Sequence, residues 1–378
     1  MILPKVIAID TYVYEKVAKD FYSRDSGRYK RALSFIDFIT NNGLIPFFSL
    51  HHLEEILQHE NDMIVQDRLS FIRKFPAVAW LKSVNNSGIV GSILDIQGME
   101  LKRIIETPDI KIPDLISEVW KELIQYSSGE EFLDRFEDLL WQLREFYPFE
   151  TQSKKTTASI SHVVNNKTGK EKLEELKSSE LRTFEEAQSI GGLFRNSLES
   201  KLIKRGDKKL EKTKQVAADF VSEVMRKGAK MYENNDDSLY ESFLQLFDVN
   251  LQEVNSDTTI EDLGYLATYK KKLKIVAESL GLEVDKVLSI PQQALPSWVV
   301  WLELDKILKK QEYAEGSSIT DKYMAILSLY VDILVVDKRF KEYFKQLKSK
   351  RLSISEHINK VVSLSSYDKL GEILGTHT

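Results

Sequence analysis

The sequence predicts an α/β fold: a Rossmann-like, three-layer parallel-sheet domain interrupted by a long, mostly α-helical stretch. Three observations predict it. Val6-Ile7-Ala8-Ile9 near one end and Ile333-Leu334-Val335-Val336 near the other are continuous apolar runs rich in β-branched residues, the pattern of strands buried on both faces. Strand and helix patterns alternate through residues 1–100, which suits a doubly wound sheet. Between residues 101 and 311, strand signals nearly vanish and amphipathic helix patterns take over.

Each element has a local reason. After the first strand, residues 15–41 read as mostly helical, with Tyr29, Leu33, Ile36 and Ile39 at helical spacing. Asn41-Asn42-Gly43 stops them. Leu44-Ile45-Pro46-Phe47-Phe48 reads as the second strand, with its proline near the start, where it is tolerated. Ser49 suits the N-cap of a helix over residues 51–59. Ala77-Val78-Ala79-Trp80-Leu81 reads as a third strand. Helices are expected over residues 132–146, 171–186, 217–231 and 260–280. Breaks are expected at Thr107-Pro108, Tyr147-Pro148, Gly191-Gly192, Asn234-Asn235 and Leu295-Pro296. Strand texture returns after Gly316-Ser317-Ser318, which reads as a helix start. The expected organisation is one α/β domain from residues 1–100 and 312–378, with residues 101–311 inserted. A closing segment with one strand makes a poor independent core. An insertion costs little, because loop-closure entropy grows slowly with length.

Composition narrows the function. With 378 residues, 42% apolar and 29% charged, the chain is globular. Its formal net charge of −5 argues against a general nucleic-acid coat, so local patches must decide binding. It has no cysteine, which removes disulfides, thiolate zinc sites and cysteine nucleophiles, and agrees with an expected cytoplasmic location. No leader and no bilayer-length apolar run is read, so no membrane partner is expected. There is no GxxxxGK[ST] and no GxSxG, so P-loop and α/β-hydrolase chemistry lack support. Tyr12 stands where a haloacid-dehalogenase-type phosphatase needs a second aspartate.

Four acids stand out. Asp10 and Asp337 each end a strand; Glu55 lies early in the helix after the second strand; Asp321 opens the helix after Gly316-Ser317-Ser318. Ligands of open parallel sheets sit outside the carboxyl ends of the strands. If the two outermost strands are neighbours, all four acids converge there. Clustered carboxylates repel each other and invite a cation; oxygen ligands select Mg²⁺ or Mn²⁺. Small residues Ala325 and Ser328 lie on Asp321's helix face, which lets that helix approach a strand closely. Glu55 is preferred to Glu54, because Leu53, Ile56 and Leu57 form the buried stripe beside it. Any one of these acids alone reads equally well as a turn or N-cap residue.

The ordered set Asp10, Glu55-Ile56, Asp321 and Asp337-Lys338-Arg339-Phe340 resembles the acidic quartet of PIN-domain ribonucleases. Ser49-Leu50-His51-His52-Leu53-Glu54-Glu55 is similar to a variant of bacterial PIN-like proteins. The resemblance covers residues 1–100 and 312–350 and leaves the helical middle out. It departs from the family in that long insertion and in Val336, where a Thr or Ser usually precedes the last acid. It implies that Asp10, Glu55, Asp321 and Asp337 are the catalytic, metal-ligating residues for Mg²⁺ or Mn²⁺. It further implies hydrolysis of phosphodiesters, most often in single-stranded RNA, to 5′-phosphate and 3′-hydroxyl ends.

Other residues divide between site and scaffold. His52 is the best functional histidine, while Arg68, Arg73, Lys322, Lys338 and Arg339 are candidates to hold a nucleic-acid backbone. Asp95, Glu100 and Asp332 read as structural, and Trp298 and Trp301 as core. The basic run around Lys201, Lys204, Arg205, Lys208 and Lys209 reads as a solvated face. The inserted helices suit a substrate guide, a homo-oligomer contact or a protein-partner surface. Two alternatives remain open: a non-catalytic nucleic-acid-binding or assembly protein on a degenerate nuclease fold, and a nuclease acting on DNA or structured junctions.

Overall fold

The computed structural model describes residues 4–86, 88–164, 168–178, 184–233, 239–311 and 316–375. The chain forms two compact units. One comprises Met1–Glu150, Ile275–Asp305 and Thr320–Thr378; the other comprises Thr151–Lys274 and Lys306–Ile319. The boundaries expected at 100/101 and 311/312 therefore shift, because the α/β unit keeps residues 101–150 and 275–305.

In chain order the first stretch holds β1 (Lys5–Ile9), α1 (Thr11–Phe21), α2 (Ser26–Asn41), β2 (Leu44–Phe48), α3 (Leu50–Leu57), α4 (Asp62–Ile72) and β3 (Val78–Leu81). It continues with α5 (Ile93–Glu106), α6 (Ile112–Leu123), β4 (Ile124–Ser127), α7 (Gly129–Arg144) and α8 (Tyr147–Val164). Next come α9 (Phe184–Arg205), α10 (Thr213–Glu233), α11 (Leu239–Leu246), α12 (Ile260–Leu280), α13 (Val284–Leu288) and α14 (Pro296–Leu308). The chain closes with α15 (Ser317–Ile326), β5 (Ile333–Val336), α16 (Lys338–Ser349), β6 (Lys360–Ser363) and α17 (Leu370–Leu374).

The six strands form one sheet in the order β4-β3-β2-β1-β5-β6, with every neighbouring pair parallel except the antiparallel β3–β4. Both faces are covered, which is why the central strands read as unbroken apolar runs. Ile7, Ile9, Phe48, Trp80, Ile333 and Val335 join one continuous core with residues of α1–α4 and α7. The alternate residues Val6, Ala8, Phe47, Ala79 and Leu334 are buried as well. On that side the Phe47 ring stacks on Trp120 of α6, with centroids 6.4 Å apart.

Several expectations are corrected, among them the break at Gly191-Gly192, which falls inside α9. The single helix over residues 15–41 is two, because Asp25 starts α2 by accepting from the Gly27 and Arg28 backbone N–H groups. β4 lies in the stretch read as purely helical, and β6 was not expected. The helix over residues 171–186 is, in its described part, a short 3₁₀ segment, Leu173–Ser178, followed by the start of α9 at Phe184. The break expected at Asn234-Asn235 lies outside the described residues. The helices over 132–146, 217–231 and 260–280 correspond to α7, α10 and α12.

The second unit is helical among its described residues. Val163, Leu198, Leu202, Ala217 and Val221 make one small core there, and Leu173, Tyr240, Leu244, Val249 and Leu263 another. Lys201, Lys204, Arg205, Lys208 and Lys209 are all exposed, as a solvated face requires. Trp298 and Trp301, in the first unit, are buried and stacked at 4.8 Å. Among the described residues, no helix is long and apolar enough to cross a membrane.

Candidate functional site

The strand order places a topological switch point between β1 and β5. From β1 the chain winds outward through β2 and β3, whereas β5 and β6 extend the sheet the other way. The crevice at the carboxyl ends of such a strand pair is where open α/β sheets hold their ligands. Ile9 pairs with Val335, and the Asp10 backbone N–H donates to the Val335 carbonyl at 3.1 Å. Asp10 and Asp337 therefore leave the sheet side by side.

Each aspartate also starts a helix. Asp10 is the N-cap of α1, its Oδ1 accepting from the Tyr12 N–H at 2.8 Å. Asp337 caps α16, its Oδ1 accepting from the Phe340 N–H at 2.6 Å. Thus the capping role and the place in the crevice coexist in the same residues. The N-termini of α1 and α16 both face the crevice, and their partial positive charge favours anions there.

Glu55 and Asp321 complete the arrangement. Asp10, Glu55, Asp321 and Asp337 all line one small, partly open cavity of about 20 Å³, whose apolar lining includes Leu334, Val336, Met324 and Phe340. Ala325 and Ser328 are fully buried, as the expected close approach of α15 requires. Leu53, Ile56 and Leu57 form the buried stripe of α3 and leave Glu55 at the cavity. Glu54 instead meets His51 Nδ1 at 3.1 Å.

The electrostatics show that the four charges share one space. Burial pushes the Asp321 carboxyl well above the usual range; Glu55, Asp10 and Asp337 raise it further, and Arg339 opposes them. Burial also raises Asp10, the Tyr12 N–H lowers it, and Asp337 adds repulsion. Among the described residues, no group of three or more His, Asp or Glu side chains is gathered closely enough to hold an ion as it stands.

The other expected residues separate. Lys338 is exposed beside the cavity, and a terminal nitrogen of Arg339 lies 3.6 Å from Asp337 Oδ2. His52 does not reach the crevice surface. It is the third residue of α3, and its Nδ1 accepts from the Ser49 N–H at 3.1 Å and lies 2.9 Å from the Ser49 hydroxyl. Burial, then the neighbouring His51, lowers its pKa to about 3, so the ring is neutral. His52 is a capping residue rather than a substrate contact, because its buried ring closes the start of α3 and does not line the cavity.

Three of the candidate phosphate-binding cations have structural partners. Arg68 pairs with Glu15, Arg73 with Asp134 and Glu137, and Lys322 with Asp305 beneath the Trp301 ring. Asp332 accepts from the Val6 N–H at 2.7 Å, at the opposite end of the strands. Asp95 accepts from Ser92 and Val84 in the capping box of α5. Glu100 is fully buried and receives hydrogen bonds from Ser297 and the Tyr330 hydroxyl.

One cavity residue was not expected. Thr11, directly after Asp10, lines the cavity, and its buried hydroxyl has no hydrogen-bond partner among the described residues. Its only signal in the sequence is its place after the first acid. No family model, curated protein or solved structure matches the chain.

Proposed function

We propose that the chain is a metal-dependent endoribonuclease with a PIN-like α/β domain, hydrolysing phosphodiester bonds in single-stranded RNA. One observation carries the reading: four carboxylates from four elements, distant in sequence, line one cavity at the β1/β5 switch point. Their donor set fits a hard divalent ion, being oxygen only. Asp321 supports the fit: burial first, and then the charges of Glu55, Asp10 and Asp337, raise its pKa, and a neighbouring cation would offset both. Asp10, Asp337, Glu55 and Asp321 would hold Mg²⁺ or Mn²⁺. That ion would lend positive charge to the scissile phosphate and acidify a neighbouring water.

This chain's own groups supply the rest. The non-capping oxygens of Asp10 and Asp337 are the ones directed to ligation, because their partners already accept capping N–H bonds. Arg339 and Lys338 lie where a phosphate would enter, and the two helix N-termini add to that field. Thr11 offers a hydroxyl to orient a water or a phosphate oxygen. The RNA preference and the product ends rest on the resemblance to PIN-domain ribonucleases. The helical unit suits a guide or assembly surface for RNA or a protein partner, in a cytoplasmic enzyme.

The test is cleavage of a 5′-labelled single-stranded RNA by the full chain with and without Mn²⁺, beside Asp10→Asn. Metal-dependent cleavage that Asp10→Asn abolishes is expected. Cleavage indifferent to that change overturns the site. A second reading, a non-catalytic nucleic-acid-binding protein, is favoured by the spacing of the acids, which are not gathered for an ion. RNA binding with neither Mn²⁺ uptake nor cleavage would select it.

A further inference from the structure

A groove along α1 begins beside the carboxylate cavity. Asp10 caps α1, and Tyr12, Lys16 and Lys19 follow at spacings of four and three residues along one face of the helix. With Glu15 and Tyr22 they line an open groove of about 620 Å³, whose far wall brings Ile64, Asp67 and Arg68 from α4. The groove and the carboxylate site adjoin, since Asp10 and Thr11 line the one and Tyr12, the next residue, lines the other.

Its chemistry fits an unpaired polynucleotide. Tyr12 is 63% exposed and Tyr22 38% exposed, so two aromatic residues meet solvent, one in the first turn of α1 and one at its C-cap. The Lys16 ammonium stands 4.3 Å from the Tyr12 ring centroid, so a cation and a stacking face are presented together. Glu15 is neutralised by Arg68 at 2.5 Å, which leaves Lys16 and Lys19 to outweigh Asp67. Aromatic platforms interleaved with cations are how proteins hold single strands without reading sequence.

We propose that this groove is the track for the substrate strand, with Tyr12 stacking the base next to the scissile phosphate and Lys16 and Lys19 meeting the following phosphates. The proposal rests on the ribonuclease reading for its scissile phosphate, but the binding it describes is measurable without cleavage.

The experiment is fluorescence anisotropy with a 5′-fluorescein uridine 12-mer and a full-length Asp337→Asn chain in Mn²⁺. Tyr12→Ala is expected to weaken binding about 5- to 100-fold, and Tyr12→Phe to keep it within about two-fold. Because Tyr12→Ala touches a helix start, Lys16→Gln with Lys19→Gln provides a second measure. That pair should lower the slope of log affinity against log salt by about 1.4. Unchanged binding in both Tyr12→Ala and the lysine pair, or no binding by the parent chain, overturns the track. If Tyr12→Ala and the lysine pair lose binding while the wild-type chain never cuts RNA, the groove stands and the hydrolytic reading falls. Cutting that Asp10→Asn abolishes, with binding indifferent to Tyr12 and the lysines, gives the reverse.

Discussion

Asp10 and Asp337 are neighbours across the central strand pair, and each does two jobs with one carboxyl group. One oxygen closes the first turn of the following helix, and the same residue lines the shared cavity. The dual use explains why a bland reading and a functional reading of the same aspartates both describe the molecule. It also makes their roles separable by substitution.

Asparagine caps a helix about as well as aspartate. Asp10→Asn or Asp337→Asn should therefore leave the thermal transition nearly unchanged, while metal-dependent cleavage falls by on the order of 10²–10³-fold, as when one preorganised electrostatic group is lost. Circular dichroism melting beside an RNA-cleavage assay separates the two effects. A large loss of stability in either variant would mean that the carboxylate charge, and not only its hydrogen bond, supports the helix.

Asp321 should be a liability in the absence of a cation. Its folded pKa is raised, chiefly by burial and then by Glu55, Asp10 and Asp337. The folded state therefore holds a proton that the unfolded state releases above about 3.8, and stability falls as pH rises from there towards the folded pKa. Asp321→Asn should raise the melting temperature in EDTA at neutral pH, each kcal/mol relieved being worth about 2–4 °C for a unit of this size. Saturating Mn²⁺ should stabilise the wild type, by about 2.7 kcal/mol at a hundredfold excess over Kd. The variant should gain clearly less. Equal Mn²⁺ shifts in both chains would remove Asp321 from the ligand set.

The central strands were legible because β1, β2 and β5 are buried on both faces and read as unbroken apolar runs. The edge strands were not. β4 buries only Ile124, leaving Gln125 and Ser127 half-buried and Tyr126 exposed, and β6 offers only Val361 and Val362 between Lys360 and Ser363. The four acids were each visible as types in places, but their meeting depends on β5 pairing with β1 across more than 300 residues, a contact no local pattern encodes. The role of His52 was obscured because a histidine stands where a capping box ordinarily has Glu or Gln. The α1 groove was hidden for a similar reason: Tyr12 and Lys16 look like any solvated helix face until α4 stands opposite.

If His52 is structural, removing it should cost stability and spare the chemistry. His52→Ala takes away the acceptor for the Ser49 N–H at the start of α3. The loss of such a cap costs about 0.5–2 kcal/mol. Cleavage per folded molecule should stay within about two-fold of wild type, at a temperature where both chains are folded. A hundredfold fall in activity with the fold intact would return His52 to the reaction.

Glu100 makes the stability of the first unit depend on pH in a definite direction. Burial raises its carboxyl from 4.5 to about 7, against the lowering by the Ser297 and Tyr330 hydrogen bonds. An acid with a raised folded pKa favours the folded state while it keeps its proton. Its contribution is complete below the unfolded value and is progressively lost as pH rises through the window from about 4.5 to about 7. A shift of that size corresponds to about 3 kcal/mol. Glu100→Gln cannot ionise and still offers an oxygen to Ser297 and Tyr330. Chemical denaturation at pH 5 and pH 8 should therefore show the wild type losing up to about 3 kcal/mol more than Glu100→Gln between the two. Every other carboxylate is common to both chains, so its effect cancels in that difference. Parallel pH profiles would show that Glu100 ionises as readily in the folded chain as in the unfolded one.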